Sequence, residues 1–269
     1  MISNLRVVLL LGVVVVFSAP RARAALLFLD NFDAPDSVSF DEADLTGRLS
    51  GPVGAETNLQ SFAAQQSIVD GQLELKGSGG VRFGGLITRY NWAGATTGPD
   101  ILAAGGFQVT FDWTHDGTST EWVGFKVGTI NGDNFVIDPS VDHAMLIRQN
   151  LNGAGQWTEQ WDNGNATGGV ISYNPVVGTV TTYPVVLSYA FDSFADGSPV
   201  NMTAVVNGIE VASDTFTWDG NGGELRMELE SGVTQLVDNL MISTLPVPEP
   251  ATVVIMVLAG LALGVRKLA

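Results

Sequence analysis

The chain has 269 residues, 28 acidic against 12 basic side chains, a formal net charge of −16 and no cysteine. The negative charge excludes nucleic acid and anionic lipid surfaces as partners, because both carry charge of the same sign. The lack of cysteine in the sequence excludes a disulfide framework and a lipidated cysteine anchor.

The first 24 residues have the parts of a secretory signal peptide. After a short, positively charged start, residues 7–17 form an apolar core that is too short to span a bilayer. Ala22 and Ala24 then flank one arginine in a cleavage site of the A-x-A type. We predict a signal peptide helix that is removed after Ala24, so that the chain is exported. A permanent N-terminal anchor is the alternative.

Residues 25–244 are predicted to form one all-β domain, since their number suits a single β-sandwich or barrel. They include 27 acidic and seven basic residues, so the net charge of this part is near −20. Short apolar or alternating segments recur between turn residues, and no segment here has a helical period. The predicted strands are residues 26–30, 72–76, 107–113, 122–127, 144–150, 156–161, 185–191, 201–206, 209–213, 225–230 and 235–243.

Four short motifs carry a resemblance to a known fold. They are Leu29-Asp30-Asn31-Phe32, Asp70-Gly71-Gln72-Leu73, Val206-Asn207-Gly208 and Val237-Asp238-Asn239-Leu240. The Asn-Gly pair predicts a type I′ hairpin, because both central residues of that turn need positive φ. The set resembles the concanavalin A-like, laminin-G-like jelly roll. The resemblance implies an all-β jelly-roll β-sandwich whose first and last strands lie side by side; another two-sheet sandwich is the alternative.

Clusters of oxygen-bearing side chains are candidate calcium sites, because Ca²⁺ prefers carboxylate, amide and backbone oxygens. The first cluster consists of Asp30, Asn31 and Asp33, joined by Asp238 if the two end strands pair. The second consists of Asp219, Asn221 and Glu224, and residues 131–134 offer a third. Aspartate and asparagine are also ordinary turn residues, so turn formation is the alternative at each place. Calcium is the one cofactor that the sequence predicts.

Two tryptophans are candidates for a glycan-binding platform. Trp157 and Trp161 lie four residues apart, so on an unbroken strand they share a face. The polar residues 162–165 follow directly. We predict an exposed aromatic pair at this place, and burial of both rings in the core is the alternative.

Enzymes of the resembled fold that cleave glycans carry two carboxylates on one strand, in the order glutamate, apolar residue, aspartate and a further glutamate. The sequence lacks this pattern. In its nearest segment, residues 224–230, three glutamates share one strand face with Arg226. We predict a solvated face with a cross-strand ion pair there. With neither a nucleophile elbow nor a phosphate loop in the sequence, we predict that the chain is not an enzyme.

Residues 245–269 contain three features in a fixed order. Val247-Pro248-Glu249-Pro250 comes first, and its prolines keep Glu249 extended and exposed. An uncharged apolar run, residues 251–265, follows and ends at the basic pair Arg266 and Lys267. As a helix the run covers about 22 Å, somewhat less than a hydrocarbon core of about 30 Å. We predict a C-terminal transmembrane helix over 251–265, with a buried core helix as the alternative.

This order resembles the PEP-CTERM sorting signal of exopolysaccharide-producing Gram-negative bacteria. The resemblance implies an exosortase-type processing enzyme as partner and a transient anchor in the inner membrane with the domain outside. It also implies a final place at the cell surface or in the extracellular matrix. We therefore expect an exported, non-enzymatic surface or matrix protein that is associated with exopolysaccharide. A calcium-dependent, lectin-like carbohydrate-binding module is the alternative, and a glycan-cleaving enzyme is a third hypothesis.

Overall fold

The computed structural model describes most of the predicted domain. The described residues are 24–33, 45, 47–52, 54–57, 59–62, 66–75, 84–88, 90–115, 122–128, 141–149, 155–160, 168–171, 179–219, 224–231 and 234–246. All of them belong to the unit Ala24–Pro246. Residues 1–23 of the predicted signal peptide and residues 247–269 of the predicted sorting tail lie outside the described residues. Within the described part, no helix is long and apolar enough to cross a membrane.

Strands dominate the described residues. They are β1 Leu26–Asp30, β2 Leu59–Phe62, β3 Gln66–Val69, β4 Gln72–Leu75, β5 Gly84–Thr88, β6 Gly106–His115, β7 Trp122–Gly128, β8 Val141–Gln149, β9 Gly155–Gln160, β10 Gly168–Ile171, β11 Thr181–Phe191, β12 Pro199–Val206, β13 Ile209–Thr217, β14 Arg226–Ser231 and β15 Gln235–Thr244. One helical turn, Gly54–Thr57, and one short helix, α1 Gly98–Ala103, complete the set. The sequence does not predict α1, because six residues are too few to show a helical period.

The strands form two antiparallel sheets. The eight-stranded sheet has the order β13-β12-β11-β6-β15-β4-β3, with β1 also pairing with β15. The seven-stranded sheet has the order β10-β9-β8-β7-β14-β5-β2. In the first sheet, Leu29 lies opposite Met241 and Asp30 lies opposite Leu240. The prediction that the first and last strands lie side by side is therefore confirmed.

The two sheets pack face to face around one apolar core. Alternate residues of β6 point into it, so Phe107, Val109, Phe111 and Trp113 are all buried, as expected for a strand with one apolar face. Rings also meet across the sheets. His143 of β8 stacks on Phe216 of β13 at 4.6 Å between ring centroids, and Phe125 of β7 lies 6.2 Å from Tyr189 of β11. The predicted all-β sandwich is confirmed.

The hairpin between β12 and β13 has the predicted turn. Asn207 has φ 51° and Gly208 has φ 76°, so both central residues are left-handed, as a type I′ turn requires. The same combination recurs between β3 and β4, where Asp70 has φ 50° and Gly71 has φ 75°. The second turn brings the end of β3 close to the residues that follow β1.

Candidate functional site

Three aspartates gather on the outer face of the eight-stranded sheet; we call Asp33, Asp112 and Asp238 the acidic seam. Asp238 of β15 lies directly opposite Asp112 of β6 in the register. Asp33 follows β1, and its Oδ1 lies 3.1 Å from the place that a Cβ on Gly71 would take. The structure thus brings the predicted ligands Asp33 and Asp238 to one place and adds Asp112, which the sequence did not single out.

Amide groups hold the carboxylates of the acidic seam. Asn31 Nδ2 donates to Asp33 Oδ2 at 2.8 Å, and Asn239 Nδ2 donates to Asp112 Oδ2 at 2.8 Å. The backbone N–H of Asn239 donates to Asp238 Oδ1 at 2.7 Å. Asn239 can do both because it occupies a strand irregularity with φ 52°. Asparagine tolerates this backbone conformation better than most residues do.

The environment of Asp238 disfavours the charged form of its carboxyl group. Burial raises the pKa of Asp238, the hydrogen bond from Asn239 N–H lowers it, and the charges of Asp33, Asp112 and Asp30 raise it further. Within the described residues, no salt bridge reaches any of the three seam carboxylates. No group of three or more acidic or histidine side chains there is spaced to enclose a metal ion. A cation would therefore use amide and backbone oxygens as well, or draw the carboxylates together.

Neutralising Asp238 is expected to stabilise the fold at neutral pH. A carboxyl whose pKa is higher in the folded than in the unfolded state stabilises the fold while it is protonated. This stabilisation is fully present below the pKa of the unfolded state, about 3.9, and is lost as the pH rises through the higher pKa of the folded state. With a chelator present, Asp238→Asn should raise the free energy of unfolding at pH 7 by at most about 1 kcal/mol, since the carboxyl is partly exposed.

Urea denaturation at two pH values checks this expectation. The gain from Asp238→Asn should shrink towards zero at pH 3, where the wild-type carboxyl is protonated as well. Asp196→Asn, in an exposed turn, is the matched control and should change little at either pH. A gain that persists undiminished at pH 3 would mean that the charge of Asp238 is not its cause.

Asp30, which the sequence predicts as a calcium ligand, forms a buried ion pair. Its carboxylate accepts hydrogen bonds from Arg48 Nε at 2.8 Å and from Arg48 Nη2 at 2.7 Å. Ser50 Oγ and the backbone N–H of Phe32 donate to the same carboxylate. Both oxygens of Asp30 are thus already bound by protein donors. These hydrogen bonds connect the end of β1 to residues 48–50. Asp30 is therefore not counted in the acidic seam.

The second predicted calcium cluster is only partly described. Asp219 is exposed just after β13. Glu224 is half-buried, and its Oε1 accepts from Arg226 Nη2 at 3.3 Å. Asn221 lies outside the described residues, as do residues 131–134. Calcium binding at these places stays a prediction.

A buried charge cluster lies on the seven-stranded sheet; it consists of Lys126, Glu228 and Glu230. Glu228 of β14 lies opposite Lys126 of β7 in the register. Lys126 Nζ lies 2.8 Å from Glu230 Oε2 and 3.7 Å from Glu228 Oε1. The three residues are 1%, 0% and 2% exposed. The predicted cross-strand ion pair is present, but the prediction of a solvated face is wrong.

The buried charge cluster lies on the side of the sheet that faces away from the core. Met227 and Leu229, which alternate with the two glutamates, belong to the core. A Cβ on Gly124 of β7 would come within 2.6 Å of the Leu146 side chain and within 3.3 Å of the Glu230 side chain, so a larger residue there would displace the side chains beside the cluster. One ammonium group attracts both carboxylates, which is how buried charges are normally held in a fold.

The predicted tryptophan pair lies only partly within the described residues. Trp157 of β9 is opposite Ile147 of β8 in the register, and Ile147 is a core residue. Trp161 lies outside the described residues. Trp92, Trp113 and Trp218 are buried in the core. The glycan platform at Trp157 and Trp161 therefore stays a prediction.

Comparison with known proteins gives structural likeness alone. No protein-family model and no curated protein matches the chain. Among solved structures, the chain is similar to the legume lectin-like domain from Entamoeba histolytica, with a TM-score of 0.45 and 8% identity over 78% of this chain and 100% of that one. It is also similar to the Emp47p carbohydrate recognition domain, with a TM-score of 0.44 and 11% identity over 84% and 99%. A mutant of alginate lyase Aly36B with bound alginate tetrasaccharide has a TM-score of 0.37 and 14% identity over 70% and 88%.

Proposed function

We propose that the chain is an exported, non-enzymatic glycan-binding protein whose binding depends on calcium. The acidic seam carries this proposal. It collects three carboxylates on one outer sheet face, where burial and, to a smaller extent, the neighbouring negative charges raise the pKa of Asp238. A divalent cation is the counter-charge that relieves such an arrangement.

Calcium would be held by Asp33, Asp112 and Asp238, with the amide oxygens of Asn31 and Asn239 as further ligands. When bound, the ion supplies positive charge and open coordination positions for hydroxyl oxygens. The residues of the seam come from β6, β15 and the segment after β1, so the ion would also fasten the two ends of the domain. We assign the sandwich to the concanavalin A-like jelly roll, which the pairing of β1 with β15 supports.

A glycan-retention assay with and without calcium tests the proposal. The purified full chain in detergent should bind at least one polysaccharide of a panel that includes bacterial exopolysaccharide. Excess chelator should abolish binding, and added calcium should restore it. Asp112→Asn should behave like the chelated protein, whereas Asp196→Asn should not. Binding that ignores the chelator would remove calcium from the account, and release of new reducing ends would contradict a non-enzymatic role.

We further propose that the tail sorts the protein to the cell surface or extracellular matrix, where the protein associates with exopolysaccharide. An exosortase-type enzyme would process the chain after a transient stay in the inner membrane. The sorting motif follows shortly after the last described residue that is hydrogen-bonded to the sandwich. Leu245 N–H still donates to Gly106 O at 3.0 Å, and the motif Val247-Pro248-Glu249-Pro250 begins two residues later.

Replacing Glu249 with alanine should block processing. Glu249 lies between two prolines in the sequence, which favour an extended backbone, so the substitution removes the charged group that an enzyme would recognise. Full-length precursor should accumulate in the membrane fraction on an immunoblot of the producing cells. Glu210→Ala, an exposed acid of β13, is the matched control and should be processed normally. Normal processing of the Glu249 variant would rule out the sorting proposal.

A further inference from the structure

The outer face of the eight-stranded sheet carries an unbroken row of uncharged residues. Each member lies directly opposite the next across neighbouring strands from β13 to β1. With strands about 4.8 Å apart, the row is about 24 Å long. In order, its residues are Ser213, Thr203, Ser188, Gln108, Ser243 and Leu26. Ser243 is only 5% exposed, so the other five members offer the accessible surface of the row.

A second, more apolar row runs beside the first, two residues away along each strand except β1, where a register irregularity makes the separation three residues. Its members, from β12 to β1, are Val205, Val186, Thr110, Met241 and Leu29. We call the two rows together the uncharged face. At one end, Leu26 and Leu29 are 45% and 43% exposed, so apolar surface there is open to a ligand.

The lack of charge on this face stands out because the whole chain has a net charge of −16. Charges begin only at the borders of the two rows. Glu210 of β13 lies at the end of the second row, opposite Val205. Asp112 of the acidic seam lies two residues beyond Thr110 on β6, and Asp238 lies opposite Asp112 on β15. The acidic seam is therefore an edge of the uncharged face.

We infer that the uncharged face binds an uncharged polysaccharide that lies across the strands; this inference rests on the proposed glycan-binding function. Hydroxyl and amide side chains offer donors and acceptors without charge, and the apolar row suits the C–H surfaces of sugar rings. An acidic polysaccharide would be repelled by the net charge of the protein, as would a second copy of this chain. The length of the first row, about 24 Å at a strand spacing of about 4.8 Å, suits a polymer more than a small ligand.

Two features of the uncharged face would favour glycan binding: the acidic seam that borders it and the hydrogen bonds among its polar side chains. A calcium ion at the acidic seam would neutralise Asp112 and Asp238, the acids that border the second row. Some of the polar side chains are also already held in place. Gln108 Nε2 donates to Ser188 Oγ at 3.3 Å, and Thr215 Oγ1, next to the first row, donates to Asn201 Oδ1 at 2.7 Å. Such preorganisation reduces the entropy lost on binding.

A charge placed in the centre of the face tests the inference. We would measure binding of the full chain, with calcium, to neutral polysaccharides (laminarin, dextran, galactomannan and bacterial cellulose) and to acidic ones (alginate and hyaluronan). Neutral polysaccharides should be retained and acidic ones should not. Thr203→Arg should weaken binding at least about tenfold, which corresponds to about 1.4 kcal/mol. Val180→Arg adds the same group at a 70% exposed position outside both rows and should change nothing.

The outcomes separate this inference from the proposed function. Suppose that the wild-type chain binds glycan. If Thr203→Arg binds equally well, or if Trp157→Ala abolishes binding instead, then glycan binding is supported but the uncharged face is not the binding surface. Preferred binding of an acidic polysaccharide would also overturn the inference. A dimer that Thr203→Arg converts to a monomer in sedimentation would make the face a self-association surface. If no polysaccharide binds in either state of calcium, the proposed function itself fails.

Discussion

Lys126→Met is expected to lower the free energy of unfolding by about 3–5 kcal/mol, because it leaves two buried glutamates without the ammonium group that attracts them. Lys126 Nζ lies 2.8 Å from Glu230 and 3.7 Å from Glu228, and all three residues are almost fully buried. Methionine keeps most of the side-chain volume, so packing is little changed and the loss is electrostatic. A typical domain has only about 5–15 kcal/mol of stability, and urea denaturation at pH 7 would show the shift directly.

Restoring neutrality should recover most of that loss. The triple variant that combines Lys126→Met with Glu228→Gln and Glu230→Gln carries no charge in the cluster. Replacing a whole buried ion pair with uncharged residues is often nearly neutral for stability. If the triple variant stays as unstable as Lys126→Met alone, the cost comes from packing around residue 126, and the electrostatic explanation is wrong.

Arg48→Met is expected to cost a similar amount, about 3–5 kcal/mol, for the same reason at the other sheet. The guanidinium donates two hydrogen bonds to the buried carboxylate of Asp30, and both side chains are almost inaccessible to solvent. Without it, the donors left to Asp30 among the described residues are Ser50 Oγ and the backbone N–H of Phe32. We expect the segment after β1 to loosen as well, so amide hydrogen exchange at Phe32 should quicken.

Arg226→Met provides the matched control for the loss of an arginine. Its salt bridge to Glu224 spans 3.3 Å between side chains that are 16% and 38% exposed, and partly exposed pairs contribute at most about 1 kcal/mol. Denaturation of the two variants side by side should therefore give clearly different losses. Equal losses would mean that burial does not set the strength of the Arg48–Asp30 pair.

Local sequence signals predict much of the fold. Strict alternation marks β6, and Asn207-Gly208 marks the hairpin between β12 and β13, because both signals depend on neighbours in the chain. Four strands, β2, β3, β5 and β10, have only four or five residues and carry too little pattern to be recognised. They are fixed by the longer strands on which they pair, which is tertiary information.

The candidate site shows the same division between local and distant information. Asp33 and Asp238 can be predicted to meet, because the resembled fold pairs its end strands. Asp112 cannot be found this way, since its place opposite Asp238 depends on the register of β6 and β15. Likewise, Asp30 is predicted as a calcium ligand from its neighbours in the chain, but in the structure it pairs with Arg48. Lys126 pairs with glutamates of a strand about a hundred residues away, which no local pattern reveals.

Calorimetric titration of calcium into the full chain at pH 7 tests the central claim most directly. The proposal predicts saturable binding, with a dissociation constant of about 10⁻⁴–10⁻³ M as in extracellular calcium modules. Asp112→Asn should abolish or strongly weaken it, and Asp196→Asn should not. Absence of binding to the wild-type chain, or equal binding by the Asp112 variant, would contradict the assignment of calcium to the acidic seam.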